Sequence, residues 1–451
     1  MLSPPSLIFF RQMQISTIFG IWRSVFYLTN CDRKRKILLE YFGTEVQENT
    51  KEGGSKMKKE AMRGQLVLIF LMAVFVLSGC GQKTDKIDDY ATNKEENEDQ
   101  KEETGKQEGI AKEEIKVGVV HLTDPAEGSG YTYTHDLGIQ GMQDNLGLSD
   151  DQIVRKINVD DTDAKATRKA IQECIDEGCN IIFTTSWGYM DVTEKMAKKY
   201  PDIYFCHGTG YKSNGKNFTN YFGRIYQARY LSGIVTGMNT KSNKIGYVAA
   251  QDSASSEVTG GIDAFALGIA SVNPDAVVYV KVTNSWYAPE AEKAAAAQLL
   301  EMGCDVLAQH CDTPYPQTLA QEAGVYGIGY NSDMRKDTPD SCLCSVVWNW
   351  SAYYTSQVQS LMNGTYSGKN YYGGMQEGLV GITELADFCK EGTQEKVEEA
   401  RTEILSGEFN VFDGEMETNT GEIIGEKGKT LDDTVITGGI NWYYKNVQIV
   451  E

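Results

Sequence analysis

From Ile115 onward, short runs of strand-forming residues alternate with segments whose apolar side chains recur at helical spacing. The runs include IKVGVV, NIIFTT, KIGYVAA, AVVYVKV and DVLAQH, and the segments between them include the amphipathic stretches 164–177 and 290–302. Apolar strands that alternate with helices are typical of parallel sheets covered on both faces. The sequence therefore predicts an α/β protein with a doubly wound architecture.

An internal repeat divides this region into two similar halves. AIQECIDEGCNIIFTTS begins at Ala170 and AAAQLLEMGCDVLAQHC at Ala295, so a helix, a Gly-Cys turn and a buried strand recur after about 125 residues. We predict two doubly wound, three-layer lobes joined by a hinge. Lobe 1 is expected at 115–240 and lobe 2 at 241–348, each with part of 350–451. The alternative is that Gly-Cys turns simply recur in α/β proteins.

The first 114 residues carry the pattern of a sorting signal and a tether. Residues 57–79 combine a basic start, an apolar core and small residues before Cys80, which predicts a signal peptide. The segment LSGC resembles the bacterial lipobox, so Cys80 is expected to carry the lipid that anchors the protein to the membrane. Residues 80–114 are then a solvated, charged tether. The alternative for 57–79 is a soluble buried helix.

Residues 1–56 precede this signal and are difficult to reconcile with it. KEGGSKM can be encoded by a purine-rich ribosome-binding site followed by a start codon, so we expect translation to begin at Met57 and 1–56 to be an untranslated or mis-assigned extension. The alternative is a genuine membrane-proximal extension.

Charge and motifs exclude several classes of function. The net charge of −20 opposes binding to nucleic acids, which need a basic face. No phosphate-binding loop, dinucleotide fingerprint or nucleophile–base pair stands out in the sequence. We therefore expect neither catalysis nor a cofactor. The cysteines outside 1–80 lie mostly within predicted strands and helices, so we expect them to be mainly reduced core thiols.

Aromatic and neutral polar side chains gather where predicted strands end. Ligands of open parallel sheets bind beyond these carboxyl ends, in the loops that follow. Aromatic rings beside His, Asn and Asp suit a planar, nitrogen-rich ligand. His207 and His310 have a structural alternative, and the Trp348 region could instead pack between the lobes. The candidate ligand-binding residues are Tyr131, Thr132, Tyr133, His135, Trp187, His207, Trp286, His310, Asp312, Asp333, Trp348 and Asn349.

Several longer blocks closely resemble the basic-membrane-protein (BMP) family of lipoproteins. They include GSGYTYTHDLG, GRIYQARYLSGIVTGMNTKSNKIGYVAA, IDAFALGIASVNPDA, SWYAPEAE and SVVWNWSAYY, and the resemblance runs from about 116 to 451. It implies the type I periplasmic-binding-protein fold and a substrate-binding protein of an ABC importer that takes up purine bases or nucleosides. The form GSGYTYTHD is similar to the branch associated with free purines such as adenine.

The resemblance also implies roles for individual residues. Tyr131 and Trp286 correspond to aromatic residues that stack on the ligand from opposite lobes, and Asp333 to a carboxylate that binds ribose or base. His207 stands near an acidic contact of the family, and Trp348 or Asn349 near a lysine of its nucleoside-binding members. Because both charged groups are replaced, ribose recognition is in doubt.

The expected partners are a small purine-type ligand, ABC permease subunits and, through the lipid anchor, the outer face of the cell membrane, with the protein itself a monomer. Two alternatives stay open at this point. One is a ligand sensor of the same fold that does not transport, and the other is a metal-binding receptor that uses His207, His310 and Asp312.

Overall fold

The computed structural model describes residues 108–450. The predictions for the extension 1–56, the signal peptide 57–79, the lipidated Cys80 and most of the tether lie outside the described residues. Within them, fifteen strands (β1–β15) and ten α-helices (α1–α10) are numbered here in chain order.

Lobe 1 is built on a six-stranded sheet in the order β11-β5-β4-β3-β1-β2, with every neighbouring pair parallel. Helices on both faces cover this sheet, and α8 packs along α1. Its strands are β1 Val117–Val120, β2 Ile153–Lys156, β3 Ile181–Thr184, β4 Tyr204–Gly208, β5 Phe218–Gly223 and β11 Tyr371–Gly373. Its helices are α1 Gly130–Leu146, α2 Ala164–Asp176, α3 Met190–Lys199 and α8 Trp350–Met362.

Lobe 2 is built on a seven-stranded sheet in the order β12-β10-β9-β8-β6-β7-β15, in which only β12 runs antiparallel to its neighbour. The strands are β6 Lys244–Ala249, β7 Val277–Val282, β8 Val306–His310, β9 Tyr326–Asn331, β10 Cys342–Trp348, β12 Val380–Ile382 and β15 Val447–Ile449. The helices are α4 Ile225–Asn239, α5 Ser256–Val272, α6 Pro289–Glu301, α7 Tyr315–Glu322, α9 Thr393–Ser406 and α10 Asp433–Gly438, and β13 Met416–Glu417 pairs with β14 Ile423–Ile424. The predicted α/β class with two doubly wound lobes is confirmed.

The chain crosses between the two sheets three times. It leaves the lobe 1 sheet after Gly223, returns to lobe 1 after Trp348 and leaves again between Gly373 and β12. Hydrogen bonds join the crossing segments, from the Arg224 amide to the Gly373 carbonyl (2.6 Å) and from the Asn349 amide to the Leu379 carbonyl (2.7 Å). These three segments form the hinge.

The position of α4 differs from the sequence prediction. We expected lobe 1 to extend to residue 240, but α4 packs on α5, α9, β10 and β12, all of which belong to lobe 2. Sixteen residues of the predicted lobe 1, 225–240, therefore follow the first crossing. An apolar helix after β5 fits either sheet by its sequence pattern, so its partner was not decided by the pattern.

The eight cysteines of the described residues carry free thiols, and seven of them are buried. Cys174 and Cys179 pack in the apolar core of lobe 1, where the side-chain hydrogen bond between them and then burial raise the pKa of Cys174. Native protein should therefore leave at least seven of the eight unmodified by a thiol reagent, since only Cys389 is partly exposed. Unfolding without a reductant should expose all eight, as peptide mapping by mass spectrometry would show; disulfide-linked peptides among them would contradict this prediction.

Candidate ligand-binding site

The carboxyl ends of the two sheets meet at a contact between α1 of lobe 1 and the loops of lobe 2. The Thr134 hydroxyl donates to the main-chain carbonyl of Asn331 at 3.1 Å. Gly130, the first residue of α1, lies so near Asp312 that a Cβ atom on it would come within 2.7 Å of the Asp312 carbonyl oxygen. The cleft predicted from the strand ends is therefore the place where the lobes touch.

Tyr131 contributes the aromatic ring of lobe 1 at this contact. Its hydroxyl donates to the Thr185 carbonyl at the end of β3 (2.6 Å), and its ring meets that of His135 edge-on at 4.3 Å. Burial raises the pKa of Tyr131, and nearby Tyr221 and Glu257 raise it further. Because Glu257 belongs to lobe 2, Tyr131 lies within electrostatic reach of the opposite lobe.

The other predicted residues of α1 lie behind or beside Tyr131. His135 is fully buried, stacks on Trp350 with ring centroids 4.4 Å apart, and its Nδ1 lies 2.5 Å from the Tyr354 hydroxyl. Burial lowers the pKa of His135, so its ring is neutral. The edge-on contact of this ring with Tyr131 helps to hold Tyr131 in place. Thr132 is buried and accepts from the Thr123 amide at 3.4 Å, while Tyr133 is half-buried.

Three predicted residues of lobe 2 come together opposite α1. The indole ring of Trp286 meets the imidazole of His310 at 5.6 Å, and the Trp286 carbonyl accepts from the Asp312 amide at 2.8 Å. The Asp312 carboxylate in turn accepts from the Asn331 side chain at 2.8 Å. The register that pairs Ala249 with His310 aligns these strand ends. An aromatic ring, an imidazole and a carboxyl group thus share one edge of lobe 2.

The acidic groups at this edge are weaker acids than usual. Burial raises the pKa of Asp312 to about 7, against the hydrogen bond from Asn331 that lowers it. Burial also raises the pKa of Glu257 to about 7, with the nearby Asp312 adding to the effect. Burial lowers the pKa of His310. Removal from water disfavours the charged form of each group, so His310 is neutral and the two carboxyl groups are only partly ionised at pH 7.

His207 lies inside lobe 1. Its Nε2 lies 2.8 Å from the Ser186 carbonyl oxygen, its Nδ1 lies 3.1 Å from the Asn220 amide nitrogen, and the residue is fully buried. Burial lowers the pKa of His207 to about 4. Both ring nitrogens contact polar groups of lobe 1. His207 therefore has the contacts expected of a structural histidine, which is the alternative given in the sequence analysis.

Four more predicted residues have partners elsewhere in the molecule. Trp187 is 57% exposed and leans on Tyr211, with ring centroids 5.9 Å apart. Asp333 forms an ion pair with Arg335 at 2.7 Å. Trp348 is buried in the hinge, where its ring stacks on that of Trp350 at 4.5 Å, and exposed Asn349 donates from its side chain to the Gly378 carbonyl at 3.0 Å. Trp348 also borders the site, because its indole nitrogen donates to the Tyr330 hydroxyl at 3.3 Å and the Tyr330 ring meets that of His310 at 4.7 Å. The structure therefore gathers Tyr131, Trp286, His310 and Asp312, places Trp348 behind them, and gives Trp187, Asp333 and Asn349 partners outside this group.

Sequence reasoning missed two charged residues of the site, Arg229 on α4 and Glu257 on α5. Arg229 is fully buried, places its guanidinium 4.3 Å from the Tyr330 ring centroid and donates to the Gln309 carbonyl at 2.7 Å. A lone arginine in the apolar run IYQARYLSGIVTG was a usable signal, because an arginine is rarely buried without a reason. The only sequence signal for Glu257 was its position shortly after β6, in the first turn of α5.

The described residues were also compared with the requirements of a metal site and of a membrane-spanning helix. Residues 108–450 contain no group of three or more His, Cys, Asp or Glu side chains that could hold a metal ion. His207 and His310, the proposed metal ligands, stand on strands of different sheets. None of the helices formed by these residues is both long and apolar enough to cross a membrane.

Solved structures with the same architecture are solute receptors and regulators. A transcriptional activator of the comK gene from Bacillus halodurans matches with a TM-score of 0.57 at 20% identity, over 65% of this chain and 99% of that one. An ABC transporter solute-binding protein from Conexibacter woesei matches with a TM-score of 0.55 at 16% identity, over 66% of this chain and 98% of that one. The fold is that of the two-lobed periplasmic binding proteins.

Sequence comparison defines the family within this class. The profile of the Bmp family, described as ABC transporter substrate-binding protein PnrA-like, matches residues 115–415. A purine-binding protein of Brucella abortus (strain 2308) is 35% identical over 75% of this chain and 94% of its own length. A protein of Haloferax volcanii named for glucose binding by an ABC transporter is 33% identical over 63% of this chain and 71% of its own. The chain belongs to the Bmp family of ABC transporter substrate-binding proteins.

Proposed function

We propose that this protein captures a purine base or nucleoside, adenine-like in character, in the cleft between its lobes and delivers it to an ABC importer. The observation that carries the proposal is the approach of the two lobes at this point, where Gly130, the residue before Tyr131, lies against Asp312 and Trp286 contacts both Asp312 and His310. Stacking of a base on an aromatic side chain contributes about 1–3 kcal/mol. The 35% identity to a purine-binding protein supports the same ligand class.

The polar groups of the cleft suit a neutral heterocycle better than a charged ligand. The carboxyl groups of Asp312 and Glu257 lose their charge as the pH falls through about 7, because burial raises both pKa values. Uncharged carboxyl groups can donate as well as accept hydrogen bonds, which matches ring nitrogens and exocyclic amino groups. Ligand binding would favour the closed arrangement only through tighter contacts in that state.

The proposal extends to the location and partners of the protein. Cys80 would be lipidated and would hold the protein at the outer face of the membrane. The predicted tether 80–114 is shorter than expected, because Ile110 already packs on the core and its amide donates to the Leu361 carbonyl at 3.1 Å; the charged segment before Ile110 would let the protein reach the permease subunits. The receptor would act as a monomer without catalytic activity. A sensor of the same fold remains the second candidate, because a transcriptional activator shares the architecture.

Isothermal titration calorimetry with adenine, adenosine, guanine and glucose tests the ligand class. We expect adenine or adenosine to bind. Trp286→Ala should weaken that binding about 5- to 100-fold, because the ligand loses one of its two stacking partners. Tyr287→Ala is the matched control, because this neighbouring aromatic is 58% exposed. Binding of glucose alone, or equal affinity of the Trp286→Ala variant and the unaltered protein, would contradict the proposal.

A further inference from the structure

Three ionisable side chains from separate elements of lobe 2 surround one point of the interlobe surface. Arg229 and His310 are fully buried, and the side chain of Glu257, in the first turn of α5, is 26% exposed. One carboxyl oxygen of Glu257 lies 3.8 Å from Nε2 of His310, which is too long for a hydrogen bond. The three groups are close but do not satisfy one another.

Several donors at this point have no partner among the described residues. They are Nε2 of His310 and two guanidinium nitrogens of Arg229, Nε and one Nη. The remaining polar atoms are engaged, since Nδ1 of His310 lies 3.3 Å from the Tyr247 hydroxyl and the other Nη of Arg229 donates to Gln309. Buried polar atoms in native proteins nearly always have a partner, so these atoms indicate a place for a polar ligand.

Glu257 faces lobe 1 across this point. Its charge is one of the causes that raise the pKa of the Tyr131 hydroxyl, and Tyr131 is the proposed stacking residue of lobe 1. The charge of Glu257 also raises the pKa of Tyr372, which lies on the edge strand β11 of the lobe 1 sheet. A ring stacked on Tyr131 would therefore present its polar edge within reach of the Glu257 carboxyl group.

Resting on the proposed function, we propose that Glu257 recognises the edge of the bound heterocycle as a neutral carboxyl group. Its hydroxyl would donate to a ring nitrogen while its carbonyl oxygen accepts from an adjacent amino group. This donor–acceptor pair complements the amidine edge of an adenine-type base. A base that offers two adjacent N–H donors instead would require two acceptors and is disfavoured.

The surroundings of Glu257 favour the neutral form. Burial, and after it the carboxyl of Asp312, raise the pKa of Glu257 to about 7 against the opposing effect of Arg229. Arg229 is directed at the Tyr330 ring and the Gln309 carbonyl rather than at Glu257. The titratable or charged groups that face Glu257 are Arg229 on α4, Tyr247 on β6, His310 on β8, Asp312 after β8, Tyr330 on β9, Tyr131 on α1 and Tyr372 on β11.

The test compares adenine affinity of the unaltered protein, Glu257→Ala and Glu257→Gln between pH 5.5 and 8.5. In the unaltered protein the neutral form predominates below about pH 7, so affinity should be highest at low pH and fall as pH rises through that value. Glu257→Ala should bind about tenfold or more weakly at low pH, the effect of losing two hydrogen bonds. Glu257→Gln keeps one donor and one acceptor, so it should bind adenine at every pH without this decline.

Glu290→Gln is the matched control, because Glu290 stands in the first turn of α6 with its side chain 89% exposed. It should retain the pH dependence of the unaltered protein. A decline that persists in Glu257→Gln would assign the titration to Asp312 and overturn the proposal, as would unchanged affinity of Glu257→Ala. Thermal unfolding of each variant shows that it is folded. Failure of the unaltered protein to bind any purine would instead contradict the proposed function.

Discussion

Gly130→Ala is expected to weaken ligand binding about a hundredfold by preventing full contact between the lobes. A Cβ atom at this position would lie 2.7 Å from the Asp312 main-chain oxygen of the opposite lobe, and a backbone atom cannot rotate out of the way. The lobes would have to separate to accommodate it. Apparent affinity falls in proportion to the fraction of molecules that can close, so reducing that fraction to about one hundredth gives the expected loss.

The chain supplies a matched control two residues earlier. Gly128 has a φ of +77° and Gly130 a φ of +76°, so alanine meets the same backbone strain at both positions, but the Gly128 Cβ would have no neighbour within 4 Å. Gly128→Ala should therefore keep near-normal affinity. Calorimetry measures binding, and small-angle scattering with and without ligand measures closure. If both variants lost affinity equally, backbone strain rather than the interlobe contact would be responsible.

The largest expected effect on stability comes from the contact between α4 and α5. A Cβ atom on Gly233 would lie 2.2 Å from the Phe265 carbonyl oxygen, and one on Gly268 would lie 2.1 Å from the Tyr230 carbonyl oxygen. The two helices touch through their backbones, so an added methyl group forces them apart. Overpacking usually costs about 1–3 kcal/mol, and we expect Gly233→Ala to reach or exceed the upper value because no side chain can yield.

Urea unfolding followed by circular dichroism measures this loss. Gly260→Ala is the control on the partner helix α5, since its Cβ would lie 3.3 Å from the flexible end of Ile440 and 3.9 Å from the Phe412 ring, with no backbone atom in the way. Alanine is favoured over glycine inside a helix by about 1 kcal/mol, so this variant should be as stable as the unaltered protein or slightly more stable. Equal stability of Gly233→Ala and Gly260→Ala would show that the helices can move apart at little cost.

Much of the architecture could be predicted because it depends on local periodicity. Strands buried on both faces are apolar along their whole length, and the repeat beginning at Ala170 and Ala295 indicated the two lobes. The partner of α4 could not be predicted in this way. Its apolar pattern fits either sheet, and the close approach at Gly233 and Gly268 becomes visible only in three dimensions.

The candidate site was predicted in part for a similar reason. Strand ends indicated the edge that holds Trp286 and Asp312, opposite the start of α1, because parallel strands present their carboxyl ends together. They did not reveal which way a loop side chain points. Trp348 also follows the pattern, yet it stacks inside the hinge. Glu257 lies in the first turn of α5, several residues after the end of β6, and escaped a search confined to strand ends.

The three crossings of the hinge have a consequence for how the protein is made. Neither lobe is encoded by one continuous stretch, since lobe 1 lacks α8 and β11 until residue 373 has been synthesised, and lobe 2 lacks β15 until residue 449. A nascent chain that has reached Trp348 can complete neither sheet. Completion of the lobe 1 sheet is thereby deferred until residue 373 and that of the lobe 2 sheet until residue 449, so neither lobe can mature before the chain beyond Trp348 has been added.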